Sequence, residues 1–199
     1  MTSTLRKVAS RFIEKWDLYS LDLSPPAGPE KYPGFSFARI EPQVGPEEWR
    51  LIVKNRGERY LRVIADRLQR EDEFTGFVAK KNASKEIIAS AWMRYKPFYE
   101  DKIRLKIDLR PDETFFFDAY CLPDYRGHRF QYQLMLLRID HACRLGLRKG
   151  YTVVSRANAA SVKTIEKLGF IKIKSRFYLA SGSLKNLIKR SHKRTCWVI

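Results

Sequence analysis

A mixed α/β domain, its sheet partly antiparallel and partly parallel, is what three features of the sequence predict. From Phe35 on, strand and helix periodicities come in the order strand, helix, several strands, helix, strand, helix, strand. The run Thr114–Leu122 is almost continuously apolar around Asp118, as a strand buried on both faces should be. It leads through a proline turn, PDYRGHR, into a long helical pattern.

The elements follow in order. Leu5, Val8, Ala9, Phe12, Ile13 and Trp16 recur at helical spacing behind Thr2 and Ser3, which predicts an N-terminal amphipathic helix. Glu14 and Asp17 argue against a targeting peptide and for a packing arm. A short strand at Leu18–Leu23 precedes SPPAGPEKYPG, whose proline and glycine density predicts a loop or linker. Phe35–Ile40 alternates as a strand. Trp49, Ile52, Val53, Tyr60, Val63, Ile64 and Leu68 fall at helical spacing, and Gly57 is placed to split that stretch in two. Phe74–Ala79 and Glu86–Tyr95 read as consecutive strands, with Ile103–Leu109 alternating after them. Leu134, Leu137, Ile139, Ala142 and Leu145 mark the long helix that Gly146 and Gly150 close. Tyr151–Ser155 is strand-like, Ser161–Leu168 a short helix ending at Gly169, and Ile171–Leu179 a final strand. The expected organisation is residues 1–34 as an arm with a linker, 35–180 as the main domain and 181–199 as a basic tail.

With 44% hydrophobic residues the chain can build a core, and no stretch approaches the roughly 18 apolar residues of a membrane span. A cytoplasmic location is the expectation. Cys121, Cys143 and Cys196 form no CxxC pair and the three histidines no HExxH, so no disulfide framework or metal site is expected. The net charge of +17 implies a polyanionic partner: nucleic acid, an anionic membrane, an acidic carrier protein or a phosphate-rich cofactor. Eight of the basic residues lie between Ile171 and Ile199, where Leu184, Leu187 and Ile188 interleave with Lys185, Lys189 and Arg190. That pattern suits a solvated tail, peripheral membrane contact or an acidic carrier. The last four residues, Cys196-Trp197-Val198-Ile199, fit a prenylation box poorly.

A strand that turns through Pro123 and Gly127 into a helix presents free backbone N–H groups and a helix dipole, a candidate phosphate site. The plainer reading is an ordinary strand-to-helix connection. Cys121-Leu122-Pro123-Asp124-Tyr125-Arg126-Gly127 resembles the cofactor motif of the GCN5-related N-acetyltransferase (GNAT) superfamily, in which V-x-P-x-Y leads into R-G-x-G-x-G/A. The block Asn158…Ser161…Glu166-Lys167-Leu168-Gly169-Phe170 resembles that family's next motif, N-x-x-S-x-x-x-x-E-K-L-G-F. The resemblance covers Phe35 to about Leu179. Two departures stand out: Arg129 and Gln131 occupy positions usually small, where side chains are expected to intrude on the phosphate, and Ile165 replaces a tyrosine that protonates the leaving thiolate.

The resemblance implies acetyl-CoA as co-substrate, pantetheine beside Ala119, Tyr120 and Cys121, pyrophosphate facing Arg126, Gly127, His128, Arg129, Phe130, Gln131 and Tyr132, and Asn158 on the cofactor arm. Arg129 is placed to add a bidentate phosphate contact. Asp118, the carboxylate of the apolar strand, is the expected base, its pKa raised by burial; the plainer reading has it accepting hydrogen bonds from a neighbouring strand. Tyr120 is a candidate proton donor, Glu113 a further base, and a water chain an alternative to both. Phe115, Phe116 and Phe117 with Trp92, Tyr95, Phe98 and Tyr99 line either an acceptor pocket or the core. His128 is placed to meet an anion, while His141 reads as a packing residue.

The activity implied is acetyl transfer to a primary amine of a small molecule, an amino sugar, amino acid or polyamine. The alternatives are an N-acyltransferase fed by acyl carrier protein and a non-catalytic binder that kept the fold. Nucleic acid is the less expected partner, because coenzyme A is itself a polyanion and no reading motif appears.

Overall fold

The computed structural model describes residues 13–28, 30, 32–42, 44–100, 105–179 and 196–198. In chain order the first elements are β1 (Ile13–Asp22), β2 (Phe35–Arg39), α1 (Arg50–Arg56), α2 (Arg59–Gln69), β3 (Phe74–Lys81) and β4 (Ile87–Arg94). Next come β5 (Phe98–Glu100), β6 (Leu105–Asp108), β7 (Glu113–Cys121), α3 (Phe130–Arg144) and β8 (Lys149–Ser155). The chain closes with α4 (Ala159–Lys167), β9 (Ile171–Leu179) and β10 (Cys196–Val198). Two compact units emerge: residues 22–96 with 111–151, and the described parts of 1–21, 97–110 and 152–199.

In the larger unit β2, β3, β4 and β7 run antiparallel, each to the next. Their apolar runs are buried on both faces, because α3 lies against β3, β4 and β7 while α1 lies against β4 and α2 against β3. Trp92, Phe115, Phe116, Met93 and Leu134 are at most 2% exposed and form the centre of the core. Burying each such side chain stabilises the fold by roughly 1.5–3 kcal/mol. Close packing explains two glycines: a Cβ at Gly150 would run into the Phe116 ring, and one at Gly76 into Ile40 and the Trp92 ring. Gly57, in the left-handed region at φ +87°, splits α1 from α2 as the sequence predicts.

The proline-rich segment expected to be a linker belongs to this unit instead. The Glu30 amide donates to Oε1 of the fully buried Gln133 at 3.0 Å, and Tyr32, Phe35 and Phe37 ring Phe130 at 4.9–5.9 Å. The Glu30 amide and the Tyr32 ring thus tie the segment to α3.

In the smaller unit β1 pairs antiparallel with β9, β5 antiparallel with β6, and β6 parallel with β10. The expected N-terminal helix is corrected over Ile13–Trp16, which is strand; its earlier residues lie outside those described. Asp17 explains the outcome. It is 3% exposed and accepts from Arg156 Nε at 2.7 Å, so a tertiary ion pair and the β9 ladder override the helical spacing. Of the basic tail, residues 180–195 and Ile199 lie outside those described. Among the described residues, no helix is long and apolar enough to cross a membrane.

Candidate active site

Strand β7 is irregular where chemistry was expected. Ser90 faces Tyr120 and Trp92 faces Phe117, so Ala91 alone stands opposite both Asp118 and Ala119. This is a β-bulge, and Asp118 takes the left-handed conformation at φ +46° to make it. Asp and Asn are the non-glycine residues that adopt such a φ most readily. The bulge presents the Asp118 side chain to α1 and α2: Oδ1 accepts from Arg56 Nη1 at 2.8 Å, while Oδ2 accepts from Arg67 Nη1 at 2.6 Å and from the Tyr60 hydroxyl at 3.1 Å.

The expectation that burial raises the Asp118 pKa is therefore corrected. Desolvation does pull it upward, but Arg67 and Arg56 together outweigh that and hold the carboxyl below the ordinary carboxylate range. With three donors upon it, Asp118 is an ionised anchor. Tyr60 moves the other way, its pKa raised by burial and by the Asp118 charge. The cations are held by aromatic faces as well. The Arg56 guanidinium lies 3.8 Å from the Tyr60 ring centre and 5.1 Å from that of Tyr120, and the Arg67 guanidinium 4.9 Å from Trp92 and 4.7 Å from Phe117.

Beyond the bulge, β7 passes a 3-10 turn at Pro123–Tyr125 and enters α3 through Arg126–Arg129. Gly127 (φ +85°) and Arg129 (φ +58°) are both left-handed. Among the described residues, the main-chain N–H groups of Gly127, His128, Arg129, Phe130 and Gln131 find no carbonyl partner; the first helical bond here runs from the Gln133 amide to the Arg129 carbonyl. No side chain caps the helix. Arg126, Gly127, His128 and Arg129 are exposed.

The two departures from the family pattern do not fill this turn. Arg129 keeps the backbone path of the glycine it replaces, with its side chain exposed. The Gln131 amide bridges the bulge, donating to the Tyr120 carbonyl at 2.6 Å and the Ser90 carbonyl at 3.2 Å. Its Oε1 is buried with no partner among the described residues. The first turn of α3 is thereby tied to the irregular stretch of β7.

The remaining expected residues fall as follows. Ala119 is exposed, and Tyr120, Cys121 and Tyr132 are half-buried. The Cys121 thiol donates to the Tyr125 carbonyl at 3.4 Å, and burial pushes its pKa up to about 11, so it is no nucleophile. Glu113 is buried and accepts from the Tyr151 hydroxyl at 3.0 Å. His128 stacks at 6.1 Å from Phe130, and His141 packs on Phe77 with its pKa lowered by burial. Trp92, Phe115 and Phe116 are core, the Tyr95 hydroxyl bonds Thr75, and Phe98 and Tyr99 belong to β5. In the smaller unit, Asn158 Oδ1 accepts from the Ser161 amide at 3.1 Å, the ordinary cap of α4.

Sequence reasoning missed Arg56, Tyr60 and Arg67. No local signal marks them, because each meets Asp118 across more than fifty residues of chain.

Residues 42–170 match the acetyltransferase (GNAT) family. No curated protein matches the chain in sequence. Among solved structures the chain is similar to a GCN5-related N-acetyltransferase from Sphaerobacter thermophilus, at 14% identity and a TM-score of 0.63 over 90% of this chain and 55% of that one. It is similar to the tandem GNAT protein from the clavulanic acid biosynthesis pathway, at 16% identity and TM-score 0.61 over 91% and 60% of the two chains. It is also similar to AAC(6')-Iy, solved with the bisubstrate analogue CoA-S-monomethyl-acetylneamine, at 20% identity and TM-score 0.55 over 70% and 92%. The chain thus spans little more than half the length of the first two, and at these identities the likeness speaks for the fold. With the family match covering residues 42–170, the amide-lined turn and the bulged strand before it have their place: the chain belongs to the GNAT acetyltransferase family.

Proposed function

We propose that the protein transfers an acetyl group from acetyl-CoA to the primary amine of a small molecule. The observation that carries this reading is the turn at Gly127–Gln131, five successive amides with no acceptor among the described residues at the head of a fifteen-residue helix. Left-handed residues at 127 and 129 bend those amides into a concave row, and the helix dipole adds positive potential. That donor set fits a diphosphate, and the exposed Arg126 and Arg129 supply counter-charge.

When bound, the cofactor supplies a carbonyl activated as a thioester. The protein's part is to position the amine and to donate hydrogen bonds to the oxygen that gains charge. The bulge is the candidate for the second need, because the ladder is interrupted where Asp118 and Ala119 share one partner residue. Tyr120, one residue past the bulge, is the candidate proton donor to the leaving thiolate, the role that Ile165 cannot fill. Asp118, already ionised and triply hydrogen-bonded, positions Arg56 and Arg67 rather than taking the amine's proton, which leaves through water.

The acyl-carrier alternative rests on the net charge of +17 and on a loop obstructed by side chains, and only the second of these is met by the geometry. With Arg129 exposed and Gln131 engaged at the bulge, that support falls away. Thermal-shift titration tests the reading. Acetyl-CoA at 100 times its Kd should add about 2.7 kcal/mol, a rise of roughly 5–10 °C for a chain of this size. Thiol release with a panel of primary amines should then identify the acceptor. If acetyl-CoA, free CoA and longer acyl-CoAs all leave the melting temperature unmoved, the reading fails.

A further inference from the structure

We infer that the acceptor amine carries an oxyanion, a carboxylate or phosphate, and that Arg56 and Arg67 bind it. The word acceptor rests on the transferase reading above; the anion site itself does not. Two guanidiniums share the single carboxylate of Asp118, so the cluster keeps one positive charge in a half-buried setting, with side-chain exposures of 24%, 13% and 14%. Each arginine spends one Nη1 contact on Asp118, and among the described residues no other acceptor takes its remaining N–H groups. A cation so placed gains most from an anion that brings its own oxygens.

The geometry suits a bidentate grip. Arg56 lies with its guanidinium over the Tyr60 and Tyr120 rings, and Arg67 over Trp92 and Phe117, so each cation packs on two aromatic rings while its remaining N–H groups meet no acceptor among the described residues. Tyr120 adjoins the bulge, which sets the anion beside the reacting end of β7. The surroundings also favour an anion: residues 50–70 hold seven basic side chains against two acidic ones. Of these, Lys54, Arg59 and Arg62 are exposed and paired with no described carboxylate. Such a field raises the local concentration of an anionic substrate and its rate of encounter.

Two measurements on the full chain test this separately from cofactor use. In the first, the Arg56 and Arg67 side-chain Nε–H resonances, assigned with R56K and R67K, are followed during titration with inorganic phosphate and, in a second arm, with acetate. Saturable movement of these two signals, in excess of that of Arg59 and Arg62, is expected whether or not CoA binds. The arm with the tighter response names the oxyanion. In the second, acetyl transfer is compared for paired amines, glycine with glycinamide and glucosamine 6-phosphate with glucosamine. At least one charged member should exceed its neutral partner tenfold in kcat/KM. Arg56→Gln should bring that ratio within about threefold, while Arg56→Lys retains part of it; thermal melts confirm that both variants fold. Signals that do not saturate, or that move no more than those of Arg59 and Arg62, overturn the inference, and so does a ratio near one in the wild type or a preference that survives R56Q. A chain that binds phosphate at Arg56 yet shows no shift with acetyl-CoA would sink the transferase reading alone.

Discussion

Replacing Asp118 by Asn tests the anchor directly. Asparagine tolerates the left-handed φ of +46° and still accepts hydrogen bonds, so the change removes charge with little disturbance of the backbone. The carboxylate makes ion pairs of 2.8 and 2.6 Å with side chains only 24% and 13% exposed. Removing one partner of a fully buried pair costs about 3–5 kcal/mol and of an exposed pair about 0–1, so roughly 3 kcal/mol is expected here. For a chain of this length that is a fall of about 6–12 °C in melting temperature. The pH dependence has a definite sign. Burial lifts the pKa, but Arg67 and Arg56 lower it further, so the folded value lies below the ordinary 3.8 of an aspartate. The stabilisation is then complete above the unfolded pKa and is lost as pH falls through the folded one. Thermal melts of wild type and D118N should differ fully at pH 7 and converge below about pH 4. A difference under 2 °C at neutral pH, or one that persists undiminished in acid, would refute the anchor. The acid limb of the kcat/KM profile gives an independent check: a group ionised this far below neutrality does not set it, so D118N should leave the limb in place.

Three further outcomes follow from local geometry. Arg129→Gly relieves a left-handed residue at φ +58°, and about 1 kcal/mol of stabilisation is expected in denaturant titration, together with weaker binding of acetyl-CoA as the Arg129 counter-charge is lost. Arg138 is 1% exposed, donates to the Leu134 and Trp92 carbonyls, pairs with no described carboxylate and has its pKa pushed down by burial to about 9; R138M should equal or exceed wild type in stability, whereas R138A should lose about 2–4 kcal/mol to a cavity. Gly76→Ala would place a Cβ 2.8 Å from the Trp92 ring and closer still to Ile40, and a loss of about 1–3 kcal/mol should show in the melting temperature.

Most of the fold was legible because its signals are local. Periodicity found β3, β4, β7, α3 and β9, and a single glycine announced the break between α1 and α2. The block Cys121–Gly127 marked the turn that leads into α3. What escaped depends on partners distant in sequence. The Arg56 and Arg67 contacts with Asp118 span 62 and 51 residues, and nothing in a helical period says which surface arginine will meet a carboxylate across the fold. The first part of β1 escaped for the same reason, since its ladder joins Ile13 to Leu179, while Leu18–Asp22 was read as strand. The pKa of Asp118 was misjudged because apolar neighbours in sequence, Phe115 to Phe117, hid the cations that surround it in space. Gln131 looked like an obstruction when only its size was visible; its hydrogen bonds to Tyr120 and Ser90 give it a place.

The extra residue in β7 also sets the phase of the strand. Side chains alternate between faces, and because two residues share Ala91, Phe117 and Tyr120 lie on one face although three positions apart. Deleting Ala119 would restore the regular ladder with Tyr120 still opposite Ser90, but would remove the left-handed bend that presents Asp118 to Arg56 and Arg67. Over these few positions the chain should bear many replacements but hardly any change of length.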